Sequence, residues 1–498
     1  MENLHLKLDR KRLVDYDIKL KNGTHWGGSC PKLQIFTRYA VVTQGIRKGG
    51  CGMRLHTIFG GIHLDGRKEG TRRKPMALLE MEPEQVVIPL SMHAGEPCTP
   101  VVQPGDAVAL GQPVAGNGQG VLVHASISGQ VQAIEPRTGI RGEPVECIVI
   151  RSDESRRVWD GGVQEETDCE SLSREEIIRR IRQGGVIGMG GGGYPAADKL
   201  EAAWGRVDTL IVNAAESEPY VTADHRLLLE RGEGVLTGLH LLARAVQAED
   251  SVIAVEGNKL NAAEELERTV EQRGLSGRVC TVPSRYPLGA EKQVVKSVTG
   301  REVPPGKGPA DVGCVVFNAA TAYAVYEAVV KGLPVTHRMV TVTGGALTRP
   351  RNLWVPIGTP VSELIKAAGG FKEHPGLVLA GGPMMGTALR DLSAPVVKST
   401  NSVVCMLEGE LAERNGEMDC IRCGRCVSVC PMHLMPLLVD KELRLGGDVR
   451  ELRRLHTQDC MGCGCCSYVC PSYIPLVERM EQGRRIVEQA KKVREVAQ

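Results

Sequence analysis

Aromatic side chains are scarce in this chain: four Phe, four Trp and nine Tyr are spread over 498 residues. Its cores must therefore be filled by Val, Leu and Ala. Neither sign of charge is in excess, with 61 Lys and Arg against 59 Asp and Glu, a net of +2. That balance gives no general reason to expect nucleic acid, and no nucleic-acid-binding motif is present. No uncharged run is long enough for a membrane-spanning helix, and no charged-then-apolar leader opens the chain. The expectation is a soluble or peripheral protein, on the cytoplasmic side of a membrane if it meets one.

What the chain has is length, glycine and cysteine. At 498 residues it exceeds one ordinary core and predicts about three to five domains. Glycine, at 59 residues, is more abundant than turns alone require. Of 17 cysteines, eight form two tight tandem groups, and Cys465 lies inside the second. The others (Cys30, Cys51, Cys98, Cys147, Cys169, Cys280, Cys314 and Cys405) are scattered and read as small buried apolar residues.

The first group is Cys420, Cys423, Cys426 and Cys430 before Pro431; the second is Cys460, Cys463, Cys466 and Cys470 before Pro471. Both read C-x2-C-x2-C-x3-C-P, the spacing of two-cluster bacterial ferredoxins. The x2 steps let one looping segment offer three thiolates to a cubane, and the x3 step turns the fourth towards the other cluster. The expected ligation is crossed: Cys420, Cys423, Cys426 and Cys470 hold one 4Fe–4S centre, and Cys460, Cys463, Cys466 and Cys430 the other. Cys465 breaks the spacing and reads as a spectator. Zinc sites pair two C-x2-C knuckles rather than two sets of four, and a disulfide framework fits less well still.

Upstream, "GGVIGMGGGGYPAADKL" (184–200) runs from a short apolar piece into Gly188 and Gly190 to Gly193, then a helix-compatible stretch containing Lys199. Consecutive glycines admit positive φ and bring backbone N–H groups close to a phosphate, and a following helix start adds a favourable dipole. A flexible turn is the plainer alternative. The loop opens an alternating pattern. Strands are predicted over 209–215, 251–257, 277–283 and 313–319, with helices over 225–246, 260–273, 289–298 and 319–331. Such alternation implies a parallel sheet with ligands at the carboxyl ends of its strands. The loop lacks the Gly-Lys-Ser/Thr of a P-loop and is not a regular G-x-G-x-x-G dinucleotide fingerprint.

"GMGGGGYPAADK" and "NAAESEP" (213–219) resemble the flavin loop and the N-A-D-E-S-E-P segment of the NADH-oxidising FMN subunit of respiratory complex I. With "GGIHLDGRK", "IPLSMHAGEPC", "YPLGAEKQVVKSVTGREVPPGKGP", "FNAATAYAVYEAV" and the paired cysteine motifs, the order resembles that of the RnfC family of electron transport complexes. The resemblance implies noncovalent FMN cradled by Gly188, Gly190, Gly191, Gly192 and Gly193, with Lys199 near its phosphate. It places Asn213, Glu216, Glu218, Asn318 and Thr321 along the flavin and nicotinamide cleft, with Glu216 and Glu218 as the catalytic candidates. Glu291 and Lys292 lie in another shared segment. Ala215 stands where the complex I pattern has Asp, which puts one carboxylate contact in question.

The expected architecture is multidomain α/β. A basic extension (1–52) precedes a barrel-sandwich module of lipoyl/biotinyl type (53–165), whose hairpin "GNGQG" offers no lysine for a swinging arm. A Rossmann-like FMN/NADH domain (170–335), a β-grasp module of SLBB type (336–400), an α-helical two-cluster ferredoxin domain (405–475) and a C-terminal helix (476–498) follow. Family-like sequence begins near Met53, so residues 1–52 are expected to be an upstream extension of the reading frame or a basic arm. Trp354 is expected in the core.

NADH yields electrons in pairs and clusters accept them singly, so a flavin belongs between them. The expected function is the NADH-dependent electron-entry subunit of an Rnf-type ion-translocating complex, exchanging electrons with ferredoxin through other subunits. Two alternatives stand beside it. One is a soluble relative feeding a cobalamin enzyme or a selenoenzyme-type reductase; the other is a flavin-free iron–sulfur relay.

Overall fold

Val86, Ile88, Val108, Val114, Val123, Val131, Ile148 and Ile150 are buried together in one apolar cluster. They come from six of the first eight strands: β1 (Ala77–Leu78), β2 (Gln85–Pro89), β3 (Thr99–Pro100), β4 (Ala107–Val108), β5 (Pro113–Gly116), β6 (Leu122–His124), β7 (Gly129–Thr138) and β8 (Pro144–Ser152), with none from β1 or β3. β2, β8, β7 and β4 form one antiparallel sheet, and β3, β5 and β6 a second. Alternating side chains from both close over a shared interior. At the β5–β6 hairpin the Asn117 side chain accepts the Val121 amide at 3.0 Å.

This computed structural model describes residues 56–496 except 57, 80–81, 119, 162–166 and 412–415. The expected extension over 1–52 lies outside the described residues.

The next segment holds α1 (Arg174–Gln183), α2 (Ala196–Ala203), β9 (Thr209–Ala214), α3 (Ala223–Val246), β10 (Asp250–Glu256), α4 (Leu260–Arg273), β11 (Arg278–Val282), α5 (Glu291–Thr299), β12 (Cys314–Asn318) and α6 (Ala319–Val330). The four strands fall within one or two residues of their predicted places, because strands covered on both faces read as unbroken apolar runs. All pair in parallel, in the order β11-β10-β9-β12. The chain moves outward from β9 to β11 and then returns to the other side of β9, which makes the β9–β12 crevice a switch point. Asn213 and Asn318 pair across it. α3 packs closely on α6: a Cβ at Gly238 would lie 1.8 Å from the Ala322 carbonyl oxygen.

β13 (His337–Thr343), β14 (Arg351–Pro356), α7 (Val361–Ala367), β15 (Leu377–Ala380), β16 (Thr387–Ala388) and β17 (Ser402–Met406) follow. With β1 they form a six-stranded mixed sheet, β1-β14-β13-β17-β15-β16. β17 lies inside this sheet, buried at every position, between parallel β13 and antiparallel β15. It therefore straddles the 400/405 boundary expected from the sequence: a run such as SVVCM needs cover that only the sheet supplies. Trp354 packs as expected, edge-on to Tyr323 with centroids 5.9 Å apart and stacked near His337 at 6.4 Å.

The C-terminal part contains α8 (Arg425–Ser428), α9 (Pro436–Arg444), α10 (Val449–Arg454), α11 (Cys465–Tyr468) and α12 (Leu476–Val496). Its backbone repeats with the cysteine motifs. Left-handed residues recur at Arg422 (φ 54°) and Gly462 (φ 68°), Gly424 (φ 74°) and Gly464 (φ 75°), and His433 (φ 56°) and Tyr473 (φ 53°). Met480 and Val487 of α12 pack on Cys430, Leu434, Val439 and Leu452, so the tail helix caps this region.

Candidate functional site

The glycine loop lies at the switch point. Gly188 N–H donates to the Tyr194 carbonyl at 2.8 Å and Gly193 N–H to the Gly188 carbonyl at 3.0 Å, which closes the loop on itself. The Met189 amide donates to Thr321 Oγ1 at 2.8 Å, which ties the loop to the start of α6. A Cβ at Gly190 would lie 3.1 Å from that of Asn318. Gly191, at φ 113°, and Gly192 face open space. Among the described residues the amides of Gly190, Gly191 and Gly192 have no protein acceptor. Three free amides in succession, ahead of α2, are the donors a phosphate-binding loop offers. From the other side, the Ala94 amide donates to the Gly193 carbonyl at 2.9 Å. The N-terminal module thus braces the loop, through the segment "SMHAGEPC".

Asn318 and Thr321 are brought to this loop, and Asn213 stands beside them on β9. Asn213 Nδ2 donates to the Gly289 carbonyl at 2.8 Å, and its Oδ1 accepts the Ala215 amide at 3.0 Å. Lys199 is not free: its ammonium pairs with Glu291 at 2.5 Å. Glu216 is buried; one carboxylate oxygen accepts the Asp224 amide at 2.9 Å, and the other has no partner. Such an orphaned buried oxygen is what a ligand-completed site leaves behind.

Glu218 is engaged by two backbone amides. Its carboxylate accepts the Met384 and Met385 amides at 3.1 and 2.9 Å, which fastens the segment after β15. Burial raises its pKa to about 7 despite those two bonds. The structure therefore ties Glu218 to the segment that approaches the cysteines.

Several participants were not singled out from the sequence, although Lys68 closes the family-like segment "GGIHLDGRK". Asp224, at the first turn of α3, accepts from Asn318 Nδ2 at 2.7 Å; burial, then the Glu216 charge, raises its pKa to about 6. Lys68 and Lys259 both reach the Glu216 carbonyl, at 2.6 and 3.2 Å, and Lys259 pairs with buried Glu256 at 2.7 Å. Burial and the Lys259 charge lower Lys68 to about 8. Only folding brings these residues from distant segments to the strand ends.

In the cysteine region, Cys430, Cys460, Cys463 and Cys466 line one cavity, together with Met432, Leu434, Met461 and Met480. This is the crossed set. Cys465, expected to be a spectator, is fully buried and lines the same cavity. In the other set, Cys426 packs with Cys470 and lies near enough to feel the charge of Cys420 and Cys423. Among the described residues no three His, Cys, Asp or Glu side chains converge on a single-ion site. Four thiols around one apolar cavity suit a cubane. Of the scattered cysteines, Cys98, Cys147, Cys280, Cys314 and Cys405 are buried, as expected, whereas Cys169 is half-buried; Cys30 and Cys51 lie outside the described residues.

Fold and site together define a flavin- and iron–sulfur-type electron-transfer oxidoreductase, and the comparisons agree. Residues 56–155 match an RnfC barrel-sandwich hybrid domain, 181–327 a Nuo51 FMN-binding domain, 339–388 an SLBB domain and 419–474 a 4Fe-4S dicluster domain. The C subunit of the Na(+)-translocating ferredoxin:NAD(+) oxidoreductase complex of Acetobacterium woodii is 41% identical over 387 residues, 76% of this chain and 86% of that protein. The proton-translocating counterpart from Clostridium ljungdahlii is 38% identical over 391 residues, 78% of this chain and 84% of that protein. The C subunit of the ion-translocating oxidoreductase complex of Yersinia pseudotuberculosis is 40% identical over 381 residues, 76% of this chain but 54% of that longer protein. The chain belongs to the RnfC family, the C subunits of ion-translocating oxidoreductase complexes.

Proposed function

We propose that this chain exchanges electrons with NADH at FMN held by the glycine loop, and passes them singly through two 4Fe–4S centres to other subunits of an ion-translocating, ferredoxin-linked complex. When bound, FMN supplies the conversion between paired and single electrons. Gly190 to Gly192 offer their amides to its phosphate, Thr321 and Asn318 hold the loop at the strand ends, and Glu216 presents its unpartnered oxygen to the cleft. Glu218 holds the Met384–Met385 turn against the cysteine loop. Cys420, Cys423, Cys426 and Cys470 ligate one centre, and Cys460, Cys463, Cys466 and Cys430 the other.

One observation carries the reading. The segment that leaves β11 passes the strand ends and meets the cysteine loop directly, with Tyr286 O–H donating to the Cys463 carbonyl at 2.7 Å. A two-electron site and a one-electron conductor are thereby in covalent and hydrogen-bonded continuity.

We read the architecture as a barrel sandwich, a Rossmann-like flavin domain, a β-grasp sheet that includes β1 and β17, and a two-cluster domain beginning after Met406. Among the described residues no helix is long and apolar enough to cross a membrane. We place the chain as a peripheral subunit on the cytoplasmic face.

Anaerobic titration of cluster-loaded protein with NADH, after flavin assay, tests the function. Bound FMN should bleach on adding NADH, and cluster EPR signals should then appear. Loaded clusters with no flavin and no response to NADH would overturn the reading in favour of a relay.

A further inference from the structure

The two cysteine motifs stand 40 residues apart, Cys420 to Cys460, and repeat each other in backbone, yet their surroundings differ. The second motif faces inward. Besides the Tyr286 bond, a Cβ at Gly464 would lie 3.4 Å from the Met384 carbonyl oxygen, and Met384 is itself held by Glu218. Gly306 N–H donates to Asp459 at 2.9 Å. Cys430, which crosses over from the first motif, lies in the same protected region: Gln293 Nε2 donates to the Pro431 carbonyl at 3.1 Å. Cys430, Cys463 and Cys466 are buried and Cys460 is half-buried.

The first motif faces outward. Residues 416–423 are exposed without a break, Cys420 and Cys423 among them. Met461 lines the inner cavity, whereas its repeat counterpart Ile421 is 68% exposed. Met418 and Tyr473 are exposed beside it, because the Met418 amide donates to the Ser472 carbonyl at 2.9 Å and holds the two segments together. Between the ligands stand Arg422 and Arg425, both exposed and, among the described residues, without ion pairs. Glu417 is neutralised by Arg444 and Arg479, which leaves Asp419 as the one unpaired acid among the described residues of the stretch.

We propose that the Cys430/Cys460/Cys463/Cys466 centre is the one that communicates with the flavin, and that the Cys420/Cys423/Cys426/Cys470 centre is the exit. Its rim of Met418, Ile421, Tyr473, Arg422 and Arg425 is the docking face for a redox protein with an acidic border around its own one-electron centre. This rests on the function proposed above. An apolar patch flanked by unpaired cations beside exposed ligands is suited to such a partner, since the charges orient the encounter and the apolar contact excludes water. In each encounter one electron leaves the exit centre, which is reoxidised, and the partner's centre is reduced by one. The pair supplied by NADH serves two encounters, and flow in reverse uses the same face.

The test uses the chain within its membrane complex, with a photo-crosslinking amino acid at position 421 and a control at exposed Leu445. Position 421 should crosslink to an acidic segment of a cofactor-bearing subunit, and position 445 should not. Crosslinking at 421 to lipid, to a subunit without a redox centre or to nothing would overturn the docking face. In the R422E/R425E double variant, freeze-quench EPR should show flavin and both centres reduced by NADH at the normal rate. Onward transfer should fall about tenfold and the exit centre's midpoint potential should stay unchanged. Transfer at the wild-type rate, or a slowing accounted for by a shifted potential, would also overturn it. In the wild-type complex, absence of NADH-reducible flavin and clusters would instead indict the underlying function.

Discussion

Asn318 Nδ2 donates to Asp224 Oδ2 at 2.7 Å, so the last residue of β12 is oriented by a buried carboxylate on α3. The same Asn318 underlies Gly190. The bond therefore sets the floor of the glycine loop from an element with no place in the loop's own sequence. Replacing Asp224 by Ala leaves the half-buried Asn318 amide donor without its acceptor. Such a loss costs about 1–3 kcal/mol. FMN affinity and thermal stability should both fall in Asp224→Ala, whereas Asp224→Asn, which keeps an acceptor oxygen, should recover part of each. Flavin titration and thermal melts at matched cluster content check this.

Gly191 has φ 113°, and a Cβ placed there would meet no atom within 4 Å, so the penalty for alanine is conformational and not steric. Strained backbone of this kind costs about 1–3 kcal/mol. Gly191→Ala should keep the fold and both clusters but bind FMN roughly tenfold or more weakly, tenfold being about 1.4 kcal/mol. Unchanged flavin affinity would remove this loop from the cradle.

The crossed ligation proposed above separates the cysteines into two sets that do not follow sequence order. Cys430→Ser should abolish the same EPR signal as Cys463→Ser, and Cys470→Ser the same signal as Cys423→Ser. Each variant should lose about four of about eight iron atoms. If Cys430→Ser instead silenced the signal lost in Cys423→Ser, the crossing would be wrong.

Glu218 makes stability depend on pH. Its carboxyl titrates near 4.5 in the unfolded chain and is raised to about 7 by burial in the fold. Between those values the folded state holds the proton more tightly than the unfolded state does. The contribution is therefore complete below about pH 4.5 and is lost as pH rises through about 7. It amounts to about 3–4 kcal/mol at most, from ~1.4 kcal/mol per pH unit. Glu218→Gln should flatten this part of the profile. The measurement is the difference in thermal midpoint between the two proteins from pH 5 to pH 8. A constant difference across that range would show that Glu218 does not titrate there.

The cysteine spacing, the four strands and the glycine loop were all legible in the sequence, because each is a local requirement. Cubane ligands must recur at short intervals, strands buried on both faces must be apolar throughout, and a loop that turns its amides towards a phosphate needs backbone conformations that favour glycine. Four other features depended on where distant segments meet. Asp224 met Asn318, Lys68 met Lys259 at the Glu216 carbonyl, Glu218 turned to Met384 and Met385, and β17 entered the sheet beyond its expected boundary. The same holds for the difference between the repeated cysteine motifs. By spacing they are equivalent; the packing of Tyr286 and Met384 against one of them buries it and leaves the other at the surface. Local chemistry determined which residues could hold the cofactors. Tertiary packing, which alone controls burial and hydrogen-bond partners, decided how Glu216, Glu218 and Asp224 are engaged and which cysteine motif faces out.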